Sequence, residues 1–396
     1  AFRGAGVPEA IYATERIVDV AARDIGIDPV DLRRRNLLMA EQFPWRTPVG
    51  YAIDSGGFEG ALDRALAAAD WGNFEGRRRA SEDRGRRRGR GLSIYIHGTG
   101  GSAKETARVV ARDGRFSLYS GTQSGGQGHE AMLAEIAAEA LDVDAGLIDV
   151  HQGCSDDLPR GAGTGGSGGL VVGGQTVVSA SAAMLEEARE RAGELLECAV
   201  ADLTYAAGVF RVTGTDRALS LADIASAMGG EGCSGEADFE GDHRTYPNGV
   251  YISEVEIDPE TGKVDLVSFV AVDDVGHVLD AERTDGQIIG GVVQGMGQAL
   301  LEHDCYDSVT GQPLTGSFLD YTLPRAGDIP AFSLTKHPTP APNNPLGMKG
   351  VGEVGNAGAP PSILSAVCDA IGVAHIDMPA TSEKVWRAFQ ERGAKA

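Results

Sequence analysis

Few cysteines, no long apolar run and no surplus of positive charge mark this chain of 396 residues. The five cysteines, Cys154, Cys198, Cys233, Cys305 and Cys368, stand far apart, and no C-x-x-C occurs. That spacing excludes a zinc or iron–sulfur cluster built within the chain, and it fits a reducing compartment. No stretch is long and apolar enough to span a membrane. The net charge of −22 sets the surface as a whole against nucleic acid and anionic membrane. No phosphate-binding G-x-x-x-x-G-K-[ST] is present, and no G-x-G-x-x-G follows a strand with an acidic residue about 20 positions on, so the common nucleotide motifs are missing. Short internal repeats are missing too. The chain opens on Ala1-Phe2-Arg3-Gly4, with neither Met nor signal peptide. It is expected to be cytoplasmic, and to be a fragment or one piece of a divided polypeptide.

Glycine is what the chain has in excess: 56 residues, roughly double the usual ~7%. They cluster in loops, where glycine permits tight turns and close backbone approach. Between the loops an α+β pattern is legible. Residues 8–25 read as an amphipathic helix opened by Pro8 and closed by Gly26. Short helices are expected after Asp28-Pro29 and over 60–69. The arginines between Arg77 and Arg90 carry no interleaved aromatic residue and read as a linker, 76–90, or a docking loop. Beyond it come a strand at 91–97, a hairpin around Asp113-Gly114, a helix over 130–141 and a strand at 147–151. A glycine-rich loop, 157–174, precedes a long helix from Gln175 to about Asp202. A second hairpin, 249–257 with 263–272, is followed by a helix over 287–302 and two closing helices, the first over 362–371. Two lobes are expected, about 91–235 and 236–396.

Three glycine loops carry polar side chains: Gly121 to His129, Arg160 to Gly169, and Val293 to Gly297. Glycine loops before helices expose N–H groups that suit anions. Gln127, Thr164, Ser167 and Gln294 offer directional hydrogen bonds to a polar cofactor. Each loop alone reads equally well as a tight turn. A fourth turn, Lys349-Gly350-Val351-Gly352-Glu353-Val354-Gly355, presents one carboxylate just before a helix. That is a way to hold a general base against a cofactor.

Together these segments resemble the C-terminal part of the molybdenum-cofactor subunit of the xanthine dehydrogenase, aldehyde oxidase and carbon monoxide dehydrogenase family. The resemblance rests on Ala1 to Gly6 with Pro8-Glu9-Ala10, Gly126-Gln127-Gly128-His129, the 161–174 loop, the 287–302 helix and Lys349 to Gly355, in the family's order. It implies a two-lobed cofactor-binding domain of the xanthine oxidase type over 91–396, preceded by the tail of a first such domain over 1–75. The implied cofactor is a molybdenum–pterin, in bacteria often the cytosine dinucleotide form, with the metal held by the pterin dithiolene rather than by side chains. Glu353 is implied as the base on the Mo-bound hydroxyl, with water-derived oxygen inserted into an aldehyde or N-heterocycle. Partial burial is expected to raise its proton affinity. Arg3 is implied beside the metal; Gly126, Gln127, Gly128, Thr164, Ser167, Gln294 and Gly352 are implied around the pterin and its phosphate. Gly4 stands where copper-containing relatives carry cysteine, so a copper–molybdenum site is not expected. Ala5 stands where purine oxidisers tend to carry phenylalanine.

The implied partners are the N-terminal half of the molybdenum subunit and modules carrying [2Fe–2S] clusters and FAD, in a dimer of heteromers. Two alternatives accompany this reading: an aromatic acyl-CoA reductase of the same family, and a non-catalytic paralogue or assembly partner without cofactor. Phe318, Tyr321 and 338–346 are candidate channel residues, with core packing an equal explanation for the aromatics.

Overall fold

The computed structural model describes residues 3–101, 104–161, 163–229, 232–240 and 244–393. Ala1, Phe2 and Ala162 of the motifs above lie outside these residues. In chain order the helices are α1 Val7–Ile25, α2 Pro29–Arg34, α3 Phe58–Ala68, α4 Phe74–Glu82, α5 His129–Leu141, α6 Gln175–Leu195, α7 Leu221–Ala227, α8 Ala281–Leu300, α9 Val354–Ile371 and α10 Ser382–Gly393. The strands are β1 Trp45–Arg46, β2 Ala52–Ile53, β3 Arg87–Ile96, β4 Lys104–Arg112, β5 Arg115–Ser120, β6 Ile148–Gln152, β7 Leu203–Ala206, β8 Val209–Val212, β9 Ala218–Ser220, β10 Cys233–Glu240, β11 Asn248–Ile257, β12 Val264–Asp274 and β13 Phe332–Lys336. Among the described residues no helix is long and apolar enough to cross a membrane.

Two sheets carry the molecule. One runs β13-β12-β11-β3, with only the β12–β13 pair parallel. Its central strand β11 is buried almost throughout, because helices cover both faces. Alternation sends Tyr251, Val255 and Phe269 towards α8 and α9, and Val250, Ile252, Val270 and Val272 towards α3. The other sheet runs β10-β4-β5-β6 and packs Val109, Leu118 and Phe116 against α5, α6 and α7. The hairpins expected around Asp113-Gly114 and around residues 259–262 are both present.

The division at residue 235 is crossed in both directions. β3, on the first side of it, pairs with β11, and β10, which straddles it, completes the other sheet beside β4. Strand pairing answers to edge hydrogen bonds rather than to order in the chain.

Nor is the Arg-rich stretch 76–90 a linker. It forms most of α4 and the start of β3, and most of its guanidinium groups are paired. Arg77 and Arg88 hold Glu254 at 2.6 and 2.7 Å, while Arg84 and Arg88 hold Glu256 at 2.6 and 3.0 Å. Arg90 stacks 3.8 Å from the Trp71 ring centroid. The acidic partners on β11 turn a run of like charge into a folded contact.

Two helices begin earlier than proline and glycine punctuation implies. α8 starts at Ala281, capped by Asp280, whose carboxylate accepts from Arg283 N–H at 2.9 Å. α9 starts immediately after Glu353 and holds Pro360 and Pro361 inside it. An internal proline costs a free helix about 3 kcal/mol. Here burial of nearly the whole helix offsets that cost. The last residues of the 157–174 loop, Gly169–Gly174, coil as a π-helical turn into α6.

Candidate cofactor and active site

A cavity of about 570 Å³ opens where the two sheets' loops meet. The glycine loop before α5 contributes Gly126 and Gln127, and the loop before α6 contributes Thr164 and Ser167. The N-terminal half of α8 contributes Arg283 and Gln287, and the turn before α9 contributes Gly352 and Glu353. Arg3 reaches it from the start of the chain. Segments more than three hundred residues apart therefore share one wall, as the motif reading expects.

Glu353 is held by donors from three other parts of the chain. His97 Nε2 lies 2.8 Å from its Oε2, Ser167 Oγ donates to the same oxygen at 2.7 Å, and the Gly4 N–H donates to Oε1 at 3.0 Å. Its side chain is 14% exposed. Burial pushes the carboxyl upwards, but the hydrogen bonds from His97, Ser167 and Gly4 prevail and hold it down at about 2. The expectation that burial raises its proton affinity is therefore reversed: hydrogen bonds to the charged form outweigh desolvation. Glu353 also sits at the N-terminus of α9, where the helix dipole favours an anion.

Arg3 braces the same turn. Its Nε donates to the Gly352 carbonyl at 2.5 Å, and Nη2 reaches the Gln287 carbonyl and Oε1 at 3.1 Å each. Burial lowers its pKa, opposed by Glu353 and Tyr251. The Arg3 carbonyl accepts from Asn356 Nδ2 at 2.8 Å, one turn into α9. Asn356 is fully buried. Arg3, Gly4, Gly352, Glu353 and Asn356 are thus one hydrogen-bonded unit.

The glycine loops approach one another closely. Gln127 Nε2 reaches Thr164 Oγ1 at 3.4 Å, and Thr164 Oγ1 donates to the Gln123 carbonyl. A Cβ on Gly350 would lie 2.7 Å from Thr99 Oγ1, so this turn is closed to other residues. By contrast, a Cβ on Gly126 or Gly165 would meet no atom within 4 Å, so both face open space. Gly128 caps α5 at φ +79° beside Arg283 but does not itself line the cavity.

The structure sets aside several expected residues. Gln294 is half-buried on α8 but lies outside the cavity wall; Gln287, seven residues earlier, stands in it. Lys349 lines the cavity with its backbone turn, but its ammonium is fully buried against Asp274 at 2.7 Å rather than paired with Glu353. Phe318 is 83% exposed, and the Tyr321 hydroxyl donates to Glu302 at 2.6 Å; neither lines the cavity. His97, the Gly4 N–H, Gln287 and Arg283 complete the site. Of these only His97 left a trace in the sequence, as a histidine ending a strand before Gly98-Thr99-Gly100-Gly101.

Opposed glycine loops, converging backbone donors, two guanidinium groups and a buried carboxylate suit an anionic, polar cofactor held beside an acid–base group. The fold and site define an α+β domain that cradles a cofactor. The chain belongs to the molybdopterin cofactor-binding family: one domain of that description matches residues 64–330 and a second matches residues 1–37. It is 37% identical over 98% of its length to the 6-hydroxypseudooxynicotine dehydrogenase complex subunit gamma of Paenarthrobacter nicotinovorans, covering 51% of that protein. It is 33% identical over 97% of its length to the carbon monoxide dehydrogenase large chain of Hydrogenophaga pseudoflava, again covering 51%. The solved quinoline 2-oxidoreductase of Pseudomonas putida 86 superposes with a TM-score of 0.90 at 30% identity, over 99% of this chain and 53% of that one. The chain spans about half the length of these relatives.

The donor set fits a pterin–phosphate cofactor. Backbone N–H groups at the glycine loops and the Arg283 guanidinium suit phosphate, while Gln127 and Gln287 suit the heterocycle.

Proposed function

We propose that this chain supplies the Glu353-bearing half of a molybdenum hydroxylase that acts on an N-heteroaromatic or aldehyde substrate. When bound, the molybdenum–pterin supplies two-electron redox chemistry and the site of oxygen transfer. The chain's own residues hold it and manage the proton. Gln127, Thr164, Ser167 and the glycine-loop backbone cradle the pterin and its phosphate. Met348, Val275 and Leu279 give the cavity apolar walls that exclude water. Arg3 fixes the Gly352 carbonyl and keeps a positive charge beside the reacting region. Glu353 accepts the proton. The single observation that carries this reading is a largely buried carboxylate anchored by three donors on the cavity wall.

Similarity to a quinoline oxidoreductase and to a 6-hydroxypseudooxynicotine dehydrogenase subunit favours the N-heteroaromatic class. Similarity to a carbon monoxide dehydrogenase does not by itself extend to copper, because the residue after Arg3 is glycine and no cysteine lines the cavity. The cytosine dinucleotide form, the iron–sulfur and FAD partners, the dimer of heteromers and the cytoplasmic location belong to the same proposal. The test is Glu353→Gln in the complete complex. Turnover is expected to fall by about 10²–10⁴, with molybdenum and pterin content unchanged. A loaded variant with full activity would sink the proposal.

A further inference from the structure

His97 lies at the end of β3, 5% exposed, and no feature of the cofactor cradle requires it. Its Nε2 meets Glu353 Oε2 at 2.8 Å, and its Nδ1 is buried without a partner. An ionised carboxylate only accepts, so Nε2 must carry a proton whatever the state of the ring. A carboxylate has about four acceptor positions, two on each oxygen. His97 and Ser167 use both on Oε2, and the Gly4 N–H uses one on Oε1. One position on Oε1 stays open.

We propose that His97 is a positioning residue that, with Ser167, saturates Glu353 Oε2, so that Glu353 takes its proton through Oε1 and with a basicity that His97 sets. The proposal rests on Glu353 being the base. Ser167 and His97 differ in kind within it. A hydroxyl rotates and turns from donor to acceptor once the carboxyl is protonated, whereas the imidazole can do so only by moving its proton to Nδ1, which is buried without a partner. His97 therefore resists protonation of Glu353 and speeds release of the proton afterwards.

The other charged groups around the carboxylate leave this role to His97. Arg3 donates to Gly352 and Gln287, not to Glu353. Lys349, on the same turn, is engaged by Asp274. His129 from α5, His277 from the loop before α8, and Asp280 and Arg283 at the start of α8 line the cavity without bonding Glu353.

The test uses the complete complex, prepared with and without cofactor. His97→Leu removes the donor, and His97→Gln restores an N–H at similar reach. In cofactor-free protein, the infrared carboxyl band of Glu353, identified by subtraction of Glu353→Gln, is expected to appear about one pH unit or more higher in H97L than in wild type. H97Q is expected to bring it back towards the wild-type position. In loaded enzyme the acid limb of kcat/KM is expected to move with the band in H97L and to return in H97Q. If H97L does not accumulate, His97→Ala, with and without added imidazole, decides the same question through the infrared band. An unmoved band in H97L, or in His97→Ala where that variant stands in, overturns the proposal, as does equal behaviour of H97L and H97Q. Full activity of loaded Glu353→Gln removes the base reading itself, and is thereby distinguishable from a failure at His97.

Discussion

Glu353 shows how a side chain's chemistry follows from its neighbours rather than from its degree of burial. The turn that presents it is legible in the chain, because glycines on both sides of a lone carboxylate mark a backbone built for close approach. Its donors are not legible: Ser167 and Gly4 lie 186 and 349 residues away. Local reading has no term for such partners, so it assigned the sign of the shift from desolvation alone. Gln294 illustrates a milder failure. Gln287, which does line the cavity, is seven residues before it, two helical turns and about 10 Å along the same face of α8. Asn356 offers a test of the unit around Arg3. Asn356→Ala leaves the Arg3 carbonyl without its buried donor and is expected to cost about 1–3 kcal/mol. A chemical-denaturation midpoint measures it, and reduced cofactor content in the loaded complex is expected alongside.

The contact between α8 and α9 sets the place of the glutamate turn. Gly291 faces Gly355 across it; a Cβ on Gly291 would lie 2.9 Å from Gly355 Cα and 3.0 Å from Asn356 N. Small residues at these positions let the two backbones meet, and the small-residue run in the 287–302 segment was readable as such. Gly291→Ala is expected to push α9 back and to destabilise by about 1–3 kcal/mol. A lowered melting temperature, together with loss of molybdenum binding, checks the outcome; an unchanged melting temperature would count against close packing as the reason for glycine. The early start of α9 was hidden for a physical reason. Proline's local penalty predicts a boundary at Pro360, and only burial against β3, β11 and α8 overrides it.

Across the molecule, a buried ion network ties the N-terminal segment to α9. Arg33 pairs with Glu15 and Asp19 at 2.9 Å each, and Arg16 reaches Asp19 and Ser365 at 2.9 and 2.8 Å. Since α1 follows Arg3 and Gly4 directly, the network holds them against Glu353. Arg33→Leu strands buried carboxylates and is expected to cost about 3–5 kcal/mol, read as a lower denaturation midpoint.

Two carboxylates give stability opposite slopes with pH. Glu353 is held at about 2, below its ordinary 4.5, so its contribution is complete above about pH 4.5 and is lost as pH falls towards 2. Asp273 is fully buried; burial raises it to about 6, against the hydrogen bonds of Tyr95 and Tyr251. The folded state then binds the extra proton, so stability falls as pH rises from about 4 to 6, by about 3 kcal/mol. Asp273→Asn is expected to flatten that fall, and Glu353→Gln to flatten the acid side, in denaturation midpoints taken across pH.

Composition, glycine clustering and hydrophobic period suffice for the α+β class, most helices and strands, and the glycine turn that presents Glu353, because each depends on neighbours within a turn or two. They do not suffice for the pairing of β3 with β11, the pairing of Arg77, Arg84 and Arg88 with Glu254 and Glu256, or the His97–Glu353 contact. Those arise when segments far apart in the chain are desolvated together, and the free energy of such a contact belongs to the pair and not to either segment.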